Sequence, residues 1–474
     1  MAAPTLKIDG ARFIVTVDPE RRIIRDGTIL IEGQRIVQVG KATAVQHVTA
    51  DRVIDASEMV VTPGLCNNHM HISYAHATRG IFPDNLDPMV YLSNVFTLQG
   101  AMTEEDEYHT TLLGITELLK YGTTCFVDPG STKYLDACMQ AYAASGCRIV
   151  VGEHVTDQPN PMRLPVYPLD EAVRRMEATI QRYDHRLDDR VHAWAMPFDA
   201  AFCSDALLKA AKGLADRYQT GMTLHQSNQP ATVQMYLDSY GKRPVEYLED
   251  LGVLGPNLLL AHVIGIDMQE VEAIARTDTK TVMCPTAALK LGSRMTAIAL
   301  LPEMVARGIC VSLGTDAGNN SNLLETLRSM YLVAVLYKDA RGTTDVVPAE
   351  LAVELATLHG ARALGLEHDI GSIEVGKKAD LVLFDTRRPE WRTLFNPINS
   401  LVYNADGRSV HTVIVDGRVV VENHTPCYVD EWELMRKVQS LASGCWNARG
   451  FTSHRAGQWC KVMLSLQVPA LGII

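Results

Sequence analysis

Residues 60–71 read Val60-Val61-Thr62-Pro63-Gly64-Leu65-Cys66-Asn67-Asn68-His69-Met70-His71. An apolar run of strand length, 60–65, ends in a polar segment with two histidines two positions apart. Residues i and i+2 of an extended chain point to the same side. His69 and His71 can therefore present both imidazoles to one ion, while Met70 turns into packing. Imidazole suits zinc, iron and related metals. Alone, a His-x-His pair is more often incidental than functional, so its weight depends on the rest of the chain.

Outward from this stretch, strand-like apolar runs recur at 123–127, 148–151, 191–196, 222–224, 258–261, 281–283 and 309–313. Helical segments lie between them, among them 104–121, 204–218 and 268–276. Eight β/α units over roughly 300 residues have the size and rhythm of an α/β protein built as a (β/α)8 TIM barrel. Such barrels carry their chemistry at the C-terminal ends of the strands. There the sequence places His225 after 222–224, His262 after 258–261 and Asp316 after 309–313. A single strand-end histidine is usually a hydrogen-bonded core residue. Histidine or aspartate at four strand ends of one barrel mouth points to a metal centre. Three histidines and one carboxylate leave a coordination position open, the catalytic rather than the closed structural pattern. An ion held so lowers the pKa of bound water to roughly 7.

The chain ends read differently. Residues 11–17, 27–32 and 35–39 alternate apolar and polar residues around Asp26-Gly27 and Glu32-Gly33 turns, as short antiparallel strands do. Late strands at 381–385, 410–415 and 418–422 can join them. The expected organisation is a small β-sandwich domain made from 1–58 and 369–430, a catalytic barrel over 59–368, and a C-terminal helix and extension over 431–474.

Composition narrows the function class. The 474 residues are 47% hydrophobic with a formal net charge of −11. An acidic chain without a basic run is a poor nucleic-acid binder, which needs cations to displace phosphate counterions. No apolar run approaches the roughly 18 residues of a membrane span. The start, Met1-Ala2-Ala3-Pro4, lacks a basic region followed by an apolar core, so a cytoplasmic protein is expected. The ten cysteines contain no Cys-x-x-Cys pair, which speaks against a disulfide framework or a cysteine zinc site.

With these residues placed, the sequence resembles the amidohydrolase superfamily, in its branch of triazine chlorohydrolases and deaminases. Pro63-Gly64-Leu65 before His69-Met70-His71, Gly122-Thr123-Thr124, Cys284-Pro285-Thr286, Gly314-Thr315-Asp316, Gly360-Ala361-Arg362-Ala363-Leu364-Gly365 and residues 371–380 carry the resemblance. It implies His69, His71, His225 and Asp316 as ligands of one divalent ion, zinc first, with iron or cobalt as alternatives. It also implies that His262 stabilises the oxyanion and that the protein is a homo-oligomer, a dimer or larger. Two-metal members have a carboxylated lysine on the fourth strand, where this chain reads Ala193-Trp194-Ala195-Met196-Pro197-Phe198.

Two departures shape the expected activity. Deaminases of the branch have a glutamate three residues after the fifth-strand histidine, where this chain has Asn228. Asparagine hydrogen-bonds but does not titrate. Many relatives have histidine where this chain has Phe198. An amide-type carbonyl depends less on the missing acid, since the metal polarises it directly and Asp316 can carry the proton. The combination looks like the phenylurea hydrolases and the thiocarbamate (molinate) hydrolases. The expected activity is cleavage of the carbonyl C–N bond of an N-aryl urea of herbicide type. Asp316, His262 and Asn228 are the expected catalytic groups, and Asn228, Phe198 and His262 the expected contacts to an apolar aryl substrate. The alternatives are thiocarbamate hydrolysis, dechlorination or deamination of a triazine or other heterocycle, and a metal-free scaffold without activity.

Overall fold

A computed structural model of the chain describes residues 3–45, 48–81 and 87–448. The surface or partner-covering extension expected from about residue 445 lies almost wholly outside them. The helix before it spans Glu431–Ala448.

Among the described residues, two four-stranded parallel sheets and one short parallel pair carry the α/β part. Leu65–Asn67, Thr123–Val127, Arg148–Val151 and Val191–Ala193 form one sheet in that order, and Met196–Pro197 pairs with His154–Val155. Met222–Gln226, Leu258–His262, Lys280–Met283 and Val311–Leu313 form another. The two sets meet on one side through backbone bonds from Thr223 to Ala195 at 3.1 Å and from His225 to Phe198 at 3.1 Å. On the other side Asn68 donates to the Leu313 carbonyl at 2.9 Å. This mixed α/β arrangement is of TIM-barrel type. Apart from the half-buried His154 and His192, the strand residues are buried, as parallel strands covered by helices are.

The helices follow local signals. Glu104–Lys120 opens with a capping box, in which Thr103 and Asp106 satisfy each other's backbone N–H, and four acidic residues in its first turn suit the helix dipole. Met268–Arg276 opens with the equivalent Asp267–Glu270 box.

Two expectations need correction. Residues 60–65 are not one barrel strand. Met59–Pro63 pairs with Phe13 and Ile14 on one edge and with Leu381–Asp385 on the other, and only Leu65–Asn67 enters the barrel sheet. An apolar run buried on both faces looks the same in either sheet. Nor does the hydrogen bonding divide the small domain into two sandwich layers. It forms one nine-stranded sheet that takes strands from both chain ends. Ile8, Ile29, Ile31, Val61, Leu381 and Ile414 are among the side chains of its own apolar core.

A buried ion cluster joins this sheet to the barrel. Arg148, on the third barrel strand, donates from Nε to Asp380 Oδ2 at 3.0 Å and from Nη2 to Asp380 Oδ1 at 3.1 Å and Asp416 Oδ1 at 3.4 Å. The side chains of Arg148 and Asp380 are 2% and 1% exposed.

A second brace supports the loop after the eighth strand. Glu117 accepts the N–H of Leu324 at 2.9 Å and a bond from Arg79 at 2.6 Å. Burial works against its charge, but His76, Arg79 and the Leu324 N–H outweigh it and hold the carboxyl at about 2. A carboxyl depressed on folding stabilises the fold above its unfolded pKa and loses that effect as pH falls through the folded value. Acid titration should therefore show stability on the order of 2 kcal/mol disappearing between about pH 4.5 and pH 2. Glu117→Gln should be less stable at pH 7 and lose less on acidification. A chemical denaturation series over pH checks this, and parallel curves for the two proteins would refute it.

Candidate metal centre and its cavity

The site is built where the first and eighth strands finish side by side. Asn67 fixes the register: its Oδ1 accepts the N–H of Thr315 at 3.1 Å and its Nδ2 donates to Thr315 Oγ1 at 2.8 Å. The His69 carbonyl then accepts from Thr315 at 3.2 Å and from Asp316 at 2.8 Å. This approach requires Gly314, since a Cβ there would lie 2.9 Å from the His69 carbonyl oxygen. The Gly-Thr-Asp motif is thus a packing requirement that delivers Asp316 beside His69. Asn68 donates to the Gly360 carbonyl at 2.9 Å. Met70 is fully buried, as alternation predicts.

His69-Met70-His71 lies beyond the strand rather than on it, yet its two rings converge. Their centroids are 5.1 Å apart at 88°. The His69 ring also lies 4.8 Å from that of His225 and 5.0 Å from that of His262. His71 Nε2 is 3.6 Å from Asp316 Oδ1 and 3.3 Å from His225 Nε2. Ligand atoms of His69, His71 and Asp316 all fall within 4.8 Å of one another, as do those of His69, His225 and His262. The sequence-derived set is therefore gathered in one place.

The donor set fits a cation. His225 Nδ1 donates to the Phe198 carbonyl at 2.5 Å. Burial and the neighbouring His262 push its pKa down to about 4, so the ring is neutral and Nε2 bears a lone pair. That lone pair faces His71 Nε2 across 3.3 Å, about the edge of a tetrahedron with bonds of roughly 2.0–2.1 Å. Both ring nitrogens of His69 are buried without a hydrogen bond, a costly state that a bound ion would relieve at one of them. Burial and the other imidazoles push both histidines well down, which keeps them in the form that binds metal. Burial moves Asp316 upward, against hydrogen bonds from Ala317 and Asn320. His262, at φ 81°, Val263, at φ 42°, and Asp316, at φ 64°, hold left-handed backbone that costs side-chain-bearing residues energy.

The centre opens into a cavity of about 380 Å³. Tyr74, Leu92, Phe96, Met162, Phe198 and Phe202 form much of its wall, with Asn228, His262 and Asp316 among the polar groups. Phe198 packs 4.6 Å from the His225 ring, 6.3 Å from Phe96 and 5.2 Å from His154. Asn228 Oδ1 accepts from Thr232 at 2.7 Å, which leaves its amide N–H groups as donors. Sequence reasoning missed Phe96 and Met162, which come from connecting segments. It also missed Asp199, although a carboxylate in the otherwise apolar Phe198-Asp199-Ala200-Ala201-Phe202 was a visible signal. Burial pushes Asp199 up to about 7.

Residues 60–420 match the family model described as "Amidohydrolase family". The chain belongs to the amidohydrolase family. It is 33% identical to a 5-methylthioadenosine/S-adenosylhomocysteine deaminase of Syntrophobacter fumaroxidans, over 93% of this chain and 98% of the relative. It is 31% identical to a 5'-deoxyadenosine deaminase of Methanosarcina acetivorans, over 91% of this chain and 96% of that one. Among solved structures, an adenosine deaminase from Xanthomonas campestris with bound zinc superposes with a TM-score of 0.85 at 26% identity, covering 94% of this chain and 98% of the other. A mutant atrazine chlorohydrolase from Arthrobacter aurescens, complexed with zinc and atraton, has a TM-score of 0.85 at 24% identity, covering 92% and 100%. That likeness shows the fold alone. This amidohydrolase is a hydrolase acting on carbon–nitrogen bonds. None of these four relatives is named as a urea or thiocarbamate hydrolase, and their names speak for the heterocycle alternative over the aryl-urea expectation. No helix among the described residues is long and apolar enough to cross a membrane.

Proposed function

We propose that this amidohydrolase cleaves the carbonyl C–N bond of a flat, apolar aryl urea. The observation that carries the reading is the pairing of an aromatic cavity wall with Asn228, which lines the same cavity and cannot titrate, where the ring deaminases that the sequence resembles have a glutamate. Deamination of an adenosine-like ring is the second reading, supported by the names of the relatives.

His69, His71, His225 and Asp316 would hold one divalent ion, with zinc the first choice because two solved neighbours contain it. When bound, the ion supplies a Lewis acid and lets water act as a nucleophile at neutral pH. The protein's own groups do the rest. Phe198 and Phe96 seat the aryl ring. His262, neutral with a pKa near 4, donates a hydrogen bond to the carbonyl oxygen as charge develops on it. Asn228 donates to the substrate from the fifth-strand side. Asp316 takes the proton from water and returns it to the departing nitrogen, since an anilide ion is too basic to leave unprotonated.

The test is product identification. Zinc-loaded protein is incubated with N,N-dimethyl-N′-phenylurea, 5'-deoxyadenosine and a chlorotriazine, and the products are resolved by mass spectrometry. Aniline with dimethylamine is the expected outcome. Ammonia from the nucleoside, or chloride or ammonia from the triazine, with no arylamine from any urea would overturn the reading.

A further inference from the structure

Beside Phe198 stands a group to which the chemistry above gives no task. Asp199 is 6% exposed and lines the same cavity as Asn228, His262 and Asp316. Two features set its place. Its backbone bridges that of His225. Its carboxylate caps the short turn Ala200–Phe202, with Oδ1 accepting the N–H of Ala201 at 2.8 Å. Among the described residues no donor meets Oδ2. Oδ2 is not among the fully enclosed polar atoms and so keeps accessible surface on a residue that lines the cavity, where a ligand's N–H can reach it.

We propose that Asp199 determines specificity by accepting on Oδ2 an N–H that the substrate carries next to the bond to be broken. The assignment rests on the aryl-urea reading for its first probe. In a trans anilide-type group the N–H points away from the carbonyl oxygen, so its acceptor and the donors to that oxygen must stand on different walls. Asp199 follows the fourth strand and His262 ends the sixth, with the fifth between them. Above about pH 7, where Asp199 is ionised, its carboxylate facing an N–H makes a charge-assisted bond. An N-alkylated substrate would leave the acceptor bare and lose that preference.

The experiment compares two probes on the zinc-loaded protein, N,N-dimethyl-N′-phenylurea and N,N,N′-trimethyl-N′-phenylurea. They differ by one N–H replaced with N–CH3. Binding is read by competition or thermal shift, so turnover is not required. The wild type should prefer the N–H compound by roughly tenfold or more, the size expected of a hydrogen bond to a charged group. Asp199→Ser keeps a capping oxygen for Ala201 and removes Oδ2, and its preference should fall toward one. Asp199→Asn is isosteric. Ala201 holds the amide oxygen, so the amide N–H2 takes the place of Oδ2 and the preference should fall to one or below. A purely structural role would weaken both probes equally and leave the ratio unchanged, and that result in both variants overturns the proposal. If neither urea binds, the aryl-urea reading fails on its own. The ratio is then read on adenosine against N6,N6-dimethyladenosine, where loss of N–H preference in both variants supports the role of Asp199 and an unmoved ratio overturns it.

Discussion

His225→Ala and His71→Ala should each yield folded protein that retains no tightly bound ion and shows no hydrolysis, whereas His262→Ala should retain the ion and turn over slowly. The difference follows from position. His225 Nε2 and His71 Nε2 face each other at 3.3 Å, and His71 also faces Asp316. Removing His71 opens the donor set on the side where the first and eighth strands meet, and removing His225 opens it on the fifth-strand side. His262 approaches the His69 ring from the sixth strand, and it is assigned to the carbonyl oxygen rather than to the ion. Loss of one oxyanion donor costs roughly 100- to 1000-fold in kcat. Elemental analysis with circular dichroism separates the cases: one ion per chain in the wild type and in His262→Ala, none in the other two. An empty site in His262→Ala would move that residue into the ligand set. Two tightly bound ions in active wild type would end the one-ion reading.

Arg148→Met should destabilise the fold by about 3–5 kcal/mol, the usual result of removing one partner from a buried ion pair. The guanidinium meets Asp380 through two bonds and Asp416 through a third, in surroundings almost without solvent. Without it, Asp380 remains buried with no ion partner among the described residues, while Asp416 keeps Lys378 at 3.7 Å and Arg190 at 3.9 Å. The loss therefore comes mainly from the stranded Asp380 charge, and adding Asp380→Asn should recover part of it. Chemical denaturation of the single and double variants measures both effects. A single variant within 1 kcal/mol of the wild type would show that water reaches the cluster, and the account given for it would fall.

Much of the site was legible before the fold was known because metal chemistry restricts residue type. Few side chains bind zinc-like ions, and His69, His71, His225, His262 and Asp316 all end apolar runs of strand length. The barrel rhythm was legible for a similar reason, since strands with helices outside and packed side chains inside are buried on both faces and mostly apolar. The division at Pro63-Gly64 was not. Met59–Pro63 is buried on both faces whichever sheet it joins, and only its pairing with Phe13, Ile14 and residues 381–385 assigns it to the small domain.

The sequence by itself determined the kind of chemistry: an imidazole set with one carboxylate, an asparagine where a proton carrier is expected, and a phenylalanine at the fourth strand. Tertiary structure alone decided the shape and polarity of the cavity. Phe96 and Met162 reach it from segments remote from Asp199 and Phe202, and nothing in the spacing along the chain says that these segments share a wall. Likewise, only three-dimensional contact ties Asn67 to Thr315 across 248 positions of chain and places the His69 carbonyl over Gly314. Local sequence encodes residue chemistry and strand period. Which strand ends meet is set by long-range pairing and burial, energies shared among residues far apart in the chain.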